Sequence, residues 1–269
     1  MSSLTFKLKQ SLSSTINLSA LTPDNLISKT IEQIVDIDLF AGKEKIKVID
    51  LFDIEGDDNE NIIIQGDLRL AQYLGKEMTM GRLTIEGNVG DYLGMSLKGG
   101  ELRLKGNAGN FALSGMIDGT VHIEGDVGSF LGAPIPGNSF GIAGGFVAID
   151  GNAGDRAGDK MRRGIMLIKG NVGEYCASQM IAGTIAIAGK VERNLGFSMQ
   201  RGTIVLKEMP PLLATFNDCG THNLPFLGLL QNYLASTDVN VSEFINPGIR
   251  ARRFVGDRGN GGLGEILVY

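Results

Sequence analysis

Apolar and polar residues alternate in short bursts along the middle of this chain, and the bursts recur at a fixed interval. Seven runs read RLTIE, ELRLK, TVHIE, FVAID, IMLIK, TIAIA and TIVLK. The second and fourth residue of each is aliphatic or Met: Leu83/Ile85, Leu102/Leu104, Val121/Ile123, Val147/Ile149, Met166/Ile168, Ile185/Ile187 and Ile204/Leu206. Period-two alternation marks a strand with one buried face. A glycine precedes each run, at Gly81, Gly100, Gly119, Gly145, Gly164, Gly183 and Gly202, giving intervals of 19, 19, 26, 19, 19 and 19 residues.

Two further columns keep this interval. Gly87-Asn88, Gly106-Asn107, Gly125-Asp126, Gly151-Asn152 and Gly170-Asn171 follow the runs, with an earlier Gly66-Asp67. Gly and Asn tolerate positive φ, so these pairs read as corners. Met78, Leu97, Met116, Ile142, Met161, Met180 and Met199 stand three residues before the marked glycines. They read as stacked core residues that fill irregular space.

Nineteen residues are too few for a strand–helix–strand crossover, and the connections lack helical periodicity. A coil that returns to the same place each period satisfies the pattern, each strand lying parallel on the previous one about 4.8 Å higher. The expected fold is all-β: a right-handed, single-stranded parallel β-helix with 19-residue turns, the hand following the crossover rule. Seven or eight turns would make a rod roughly 35 Å long.

The remainder divides around that rod: residues 1–60 as an N-terminal cap segment, 61–207 as the repeat domain, 208–269 as a helical and Arg-rich tail. TPDNLISKTIEQIVDI reads as a helix with Pro23 in its first turn, and KIKVIDLFDIEGD as strand and turn. HNLPFLGLLQNYLAS places Phe226, Leu227, Leu230, Tyr233 and Leu234 on one stripe, either packed on the rod or facing a partner. GEILVY reads as a short strand. The seven extra residues of the long interval, with Pro134 and Pro136, form an insertion of the kind that emerges on one face of a solenoid.

Composition narrows the function. The chain has 269 residues, 43% hydrophobic and only 20% charged, with 39 glycines and no Trp. A net charge of −5 argues against a nucleic-acid binder. No apolar run has the length of a signal peptide or a membrane span, so a cytoplasmic location is expected. Two cysteines and two histidines supply neither a disulfide framework nor a metal site or iron–sulfur cluster. His122 falls at the outward middle position of its run, and His222 near the start of the C-terminal helix. The glycines of GGFVAIDGNAG belong to the repeat rather than to a dinucleotide fingerprint. Outward charges alternate in sign (Glu86, Lys105, Glu124, Asp150, Lys169), which favours stacked ion pairs over a catalytic cleft. No catalytic, cofactor-binding or metal residue is therefore assigned. Two basic groupings remain, one containing Arg156, Lys160, Arg162 and Arg163, the other Arg250, Arg252, Arg253 and Arg258. Arg162, Arg163, Arg250, Arg252 and Arg253 are the candidates for contact with an acidic carrier or a partner.

The strings GNVGDYLGMSLKGGELRLKGNAGN and GNAGDRAGDKMRRGIMLIKGNVGEY resemble the Gly-x-Gly-x-Gly domain that closes the large subunit of glutamate synthase. Within that superfamily the chain is most similar to the C subunit of formylmethanofuran dehydrogenase and of its methylotroph counterpart, the formyltransferase/hydrolase complex. The resemblance covers residues 60–207 and, in VIDLFDIEGD and RRFVGDRGNGGLGEILVY, parts of both flanks. It implies a cytoplasmic hetero-oligomer of hydrolase, transferase and accessory subunits. That complex moves a formyl group from tetrahydromethanopterin to methanofuran or methylofuran and releases formate in formaldehyde oxidation, with the metal in a partner subunit. No family catalytic residue maps onto this chain, which points to a non-catalytic scaffold. The archaeal tungsten or molybdenum dehydrogenase subunit, and a glutamate-synthase-like domain, are the alternatives.

Overall fold

The computed structural model describes residues 2–234, 244 and 250–269. The chain is mostly β. An N-terminal segment runs through β1 (Ser3–Leu8), β2 (Ile16–Asn17), α1 (Pro23–Leu26), α2 (Ile31–Val35), β3 (Asp38–Ala41), β4 (Glu44–Lys47), α3 (Val48–Leu51) and β5 (Phe52–Glu55). The repeats follow as β6 (Asp58–Gln65), β7 (Ala71–Gln72), β8 (Arg82–Glu86), β9 (Glu101–Lys105), β10 (Thr120–Ile123), β11 (Phe146–Ile149), β12 (Ile165–Ile168), β13 (Thr184–Ile187) and β14 (Arg201–Leu206). The chain closes with β15 (Asn217–His222), α4 (Pro225–Leu234), β16 (Ala251–Gly256) and β17 (Leu263–Val268).

Thirteen of the described strands form one sheet, in the order β15-β16-β17-β14-β13-β12-β11-β10-β9-β8-β6-β1-β5. From β1 to β17 neighbours are parallel, and from β8 to β14 identical positions of successive runs pair, as in Leu83↔Leu102 and Ile185↔Ile204. Both edges are antiparallel: β5 on β1, and β16 and β15 beyond β17. Reversing the last strands stops further parallel addition, as an edge must to avoid edge-to-edge association. A second wall of parallel bridges joins Leu68 to Val89, and Ala108 through Val127, Ala153 and Val172 to Val191.

The inward columns are closed to solvent. Leu83, Leu102, Val121, Val147, Met166, Ile185 and Ile204 are buried, as are Met78, Met116, Met161, Met180 and Met199. Three side-chain ladders line the outside of the turns. Tyr73, Tyr92, Phe111 and Phe130 stack face to face with centroids 4.7–5.4 Å apart. Arg156 takes the next position, its guanidinium 4.8 Å from the Tyr175 ring. Asn88, Asn107, Asp126, Asn152 and Asn171 each accept the backbone N–H one turn on, at 2.7–2.9 Å. Asp91, Asn110, Ser129 and Asp155 repeat this at a second corner.

The reading of the Gly-Asn and Gly-Asp pairs as positive-φ corners holds for Gly66 (+139°) and Gly87 (+143°) but not for Gly106 and the later pairs. The strand-opening glycines do need positive φ (Gly100 +74°, Gly164 +95°). Gly106 does not: a Cβ there would sit 2.5 Å from the Gly87 carbonyl oxygen, so glycine permits close stacking while Asn107 supplies the ladder. The local elements also differ from expectation in places. TPDNLISKTIEQIVDI forms two short helices, the second closed by a Thr30/Gln33 capping box, rather than one. Val48–Leu51 is helical, between two strands. His222 ends β15, three residues before α4, with its Nε2 2.7 Å from the Cys219 carbonyl oxygen.

Candidate functional site

The outward middle residues of the strands form one register column: Thr5, Ile63, Thr84, Arg103, His122, Ala148, Leu167, Ala186, Val205 and Leu267. The column changes character halfway along. Ala148, Leu167, Ala186 and Val205 are buried with Phe146, Leu227, Phe244, Ala251 and Leu267 in a second apolar cluster. Helix α4 contributes Leu227 and, partly buried, Leu230 to that cover. Two more residues of its stripe face outward, with Phe226 at the exposed margin and Tyr233 at 58%. Leu229, outside the stripe, is 71% exposed, and the Leu234 side chain lies outside the described residues. The apolar switch in the middle column is visible in the sequence, but alternation counts only inward positions and passes over it.

The half carrying Thr84, Arg103 and His122 is open, with a groove of about 530 Å³ lined by Arg82, Thr84, Glu86, Arg103 and Lys105 among others. Its charges are paired. Lys105 reaches Glu86 at 2.8 Å, Arg82 and Arg103 both hold Glu101, and Asp150 meets Lys169 at 2.7 Å and His122 at 2.8 Å. The Lys105 ammonium, helped by Gln65, keeps Glu86 below the usual carboxylate range. Burial works against the charges of Glu101 and Asp150. The hydrogen bonds from Arg103 and Arg82, and from Lys169 and His122, outweigh it and lower both pKa values. Carboxylates lowered in this way stay ionised at neutral pH and make poor general acids.

The candidate arginines do not converge. Arg162 and Arg163 precede β12, whereas Arg252 and Arg253 lie on β16, with three strands between these two in the sheet. The Arg162 guanidinium stacks 5.1 Å from the Phe140 ring, which ties the seven-residue insertion to the wall. Arg163 is exposed. Arg250 donates to the Thr221 carbonyl, Arg252 pairs with Asp218, and Arg253 meets Glu265 at 2.9 Å. Arg250 and Arg252 tie the β16 segment to β15, and Arg253 spans the β16–β17 hairpin. Among the described residues no three His, Cys, Asp or Glu side chains gather where a metal ion would bind. No helix among them is long and apolar enough to cross a membrane.

Known proteins place this architecture. The chain is similar over 98% of its length, and 98% of the other chain's, to a chain in the crystal structure of the formyltransferase/hydrolase complex (FhcABCD) from Methylorubrum extorquens in complex with methylofuran. That likeness has a TM-score of 0.91 and 32% sequence identity. Over 72 residues it is 35% identical to the C subunit of the tungsten-containing formylmethanofuran dehydrogenase 2 of Methanothermobacter wolfeii. Over 92 residues it is 29% identical to the same polypeptide of Methanococcus maripaludis. These two matches span 27% and 34% of the relatives' length and 25% and 34% of this chain. The GXGXG motif model matches residues 65–218, the stretch that carries the 19-residue repeat, and the chain belongs to that family.

Proposed function

We propose that this chain is a non-catalytic scaffold subunit of a cytoplasmic, hetero-oligomeric formyltransferase/hydrolase complex. The complex would pass a formyl group from formyl-tetrahydromethanopterin to methanofuran or methylofuran and release it as formate. The observation that carries the reading is the likeness across 98% of both chains to a member of FhcABCD. Paired, ionised carboxylates on the open sheet face agree with a chain that docks its neighbours and leaves the chemistry, metal included, to them. Contacts for partners, or for an acidic stretch of the carrier, are assigned to the two arginine groupings; in the first, Arg162 and Arg163 are both exposed, and Arg162 stacks on Phe140.

We further infer that the chain winds as a right-handed, single-stranded parallel β-helix with 19-residue turns. The in-register strands, the second wall of bridges and the 19-residue side-chain ladders support it, and the hand follows the crossover rule. Residues 1–60 and 208–269 then act as its caps.

The partial matches to the archaeal C subunits keep a second reading, membership of a tungsten or molybdenum formylmethanofuran dehydrogenase. Purification of the native protein tests both. Copurifying hydrolase and transferase polypeptides support the first, and a molybdopterin subunit with iron–sulfur proteins supports the second. A lone, stable monomer overturns both.

A further inference from the structure

The repeating wall of the turns is interrupted twice on one side, and the two interruptions enclose a groove of about 590 Å³. One bank is the insertion, through Asn138 and Ser139; the other is the turn at Gly259 and Asn260. Between them three successive turns present Lys160, Gln179 with Ile181, and Ser198 with Gln200. Both banks are anchored. The Gly141 N–H donates to the Lys160 carbonyl at 2.9 Å, and Phe140 lies under the Arg162 guanidinium. Asp257, 5% exposed, accepts the N–H groups of Ser198 and Gly259, and the Asn260 amide donates to the Ser198 carbonyl.

The lining carries four carboxamides, two hydroxyls, one ammonium and a single aliphatic side chain, and no carboxylate. Among the described residues no carboxylate pairs with Lys160. Small-molecule sites are mostly apolar and enclosed; this one is polar and open. Carboxamides donate and accept at once, which matches the alternating N–H and C=O of an extended backbone. Lys160 adds one point of attraction for a carboxylate.

We propose that this groove seats an extended polypeptide segment of another subunit, with one of its carboxylates against Lys160. The inference rests on the reading of the chain as a member of an assembly. The test is photo-crosslinking in the purified complex, with a photoreactive amino acid replacing Gln179 and, separately, Ser139 on the exposed bank. A crosslinked peptide from another polypeptide of the complex is expected at one or both positions, and Lys160→Glu should lower its yield by about tenfold or more. An intact complex in which both positions crosslink only within this chain, or in which Lys160→Glu leaves the yield unchanged, overturns the groove assignment alone. A chain that purifies without partners overturns the assembly and the groove together.

Discussion

The Asp257 carboxylate accepts the backbone N–H of Ser198 at 3.0 Å, joining positions 59 residues apart. The same carboxylate takes the Gly259 N–H at 2.9 Å, so one side chain fixes the closing turn to the last repeat. Burial works against its charge, but the neighbouring Thr215 hydroxyl and the hydrogen bonds from the Gly259 and Ser198 N–H groups prevail and hold its pKa below the ordinary value. A lowered folded-state pKa contributes stability that is present above the unfolded pKa of about 3.9 and lost as pH falls through the folded one. The wild-type protein should therefore lose stability in acid below about pH 4. Asp257→Asn should flatten that part of the curve and cost about 1–3 kcal/mol at neutral pH. Urea denaturation across pH checks it; an unchanged acid limb in the variant would remove Asp257 from the account.

Glycine positions separate strain from crowding. Gly100 has φ +74° and a Cβ there would lie 2.8 Å from the Gly81 carbonyl oxygen, whereas Gly137, φ +93°, has open space around it. Gly137→Ala should cost about 1–2 kcal/mol, the left-handed penalty alone. Gly100→Ala should cost more, about 3 kcal/mol or above, because the turn beneath cannot yield without breaking its pairing. Equal thermal shifts in the two variants would refute the close-stacking role of the strand-opening glycines.

Much of this architecture was legible because a coil of constant period places identical chemistry at identical positions. Leu83, Leu102 and Val121 announce their own stacking, and so do Met161, Met180 and Met199. Gly106-Asn107 was legible as a repeat and not as a device, since close approach to Gly87 exists only once two turns are stacked. The terminal hairpin was half legible. Its GEILV stretch reads as a strand and pairs with β14, but the partners of Arg252 and Arg253 are Asp218, 34 residues back, and Glu265. No local pattern foretells those pairs. The candidate arginines form two groupings in the sequence, and the fold keeps the two apart, one before β12 and one at β16, where their contacts differ.

The two cysteines should differ sharply in reactivity. Cys176 is fully buried, and burial pushes its thiol up to about 12, while Cys219 is exposed on the edge strand β15. Thiolate is the reactive form, so at pH 8 Cys176 exposes on the order of one part in ten thousand to a disulfide reagent. Titration of the native protein should release one equivalent quickly and the second only on denaturation. Two fast equivalents would mean that the interior near Cys176 is open.

Leu167 and Thr84 occupy the same outward register column, and their substitutions test why it splits. Leu167 is buried in the cluster that includes Leu227 of α4, whereas Thr84 lines the open groove. Leu167→Ala should cost about 2–4 kcal/mol through lost burial and a cavity under the cover. Thr84→Ala should stay within about 0.5 kcal/mol, as surface changes do. A charge at Leu227 acts on the same cluster from the other side. Leu227→Asp should release α4 and expose Leu167 and Val205, read as increased amide exchange on β12–β14 with the inward columns still protected. Loss of protection through the whole sheet would mean that the cover is part of the main core rather than a layer added to it.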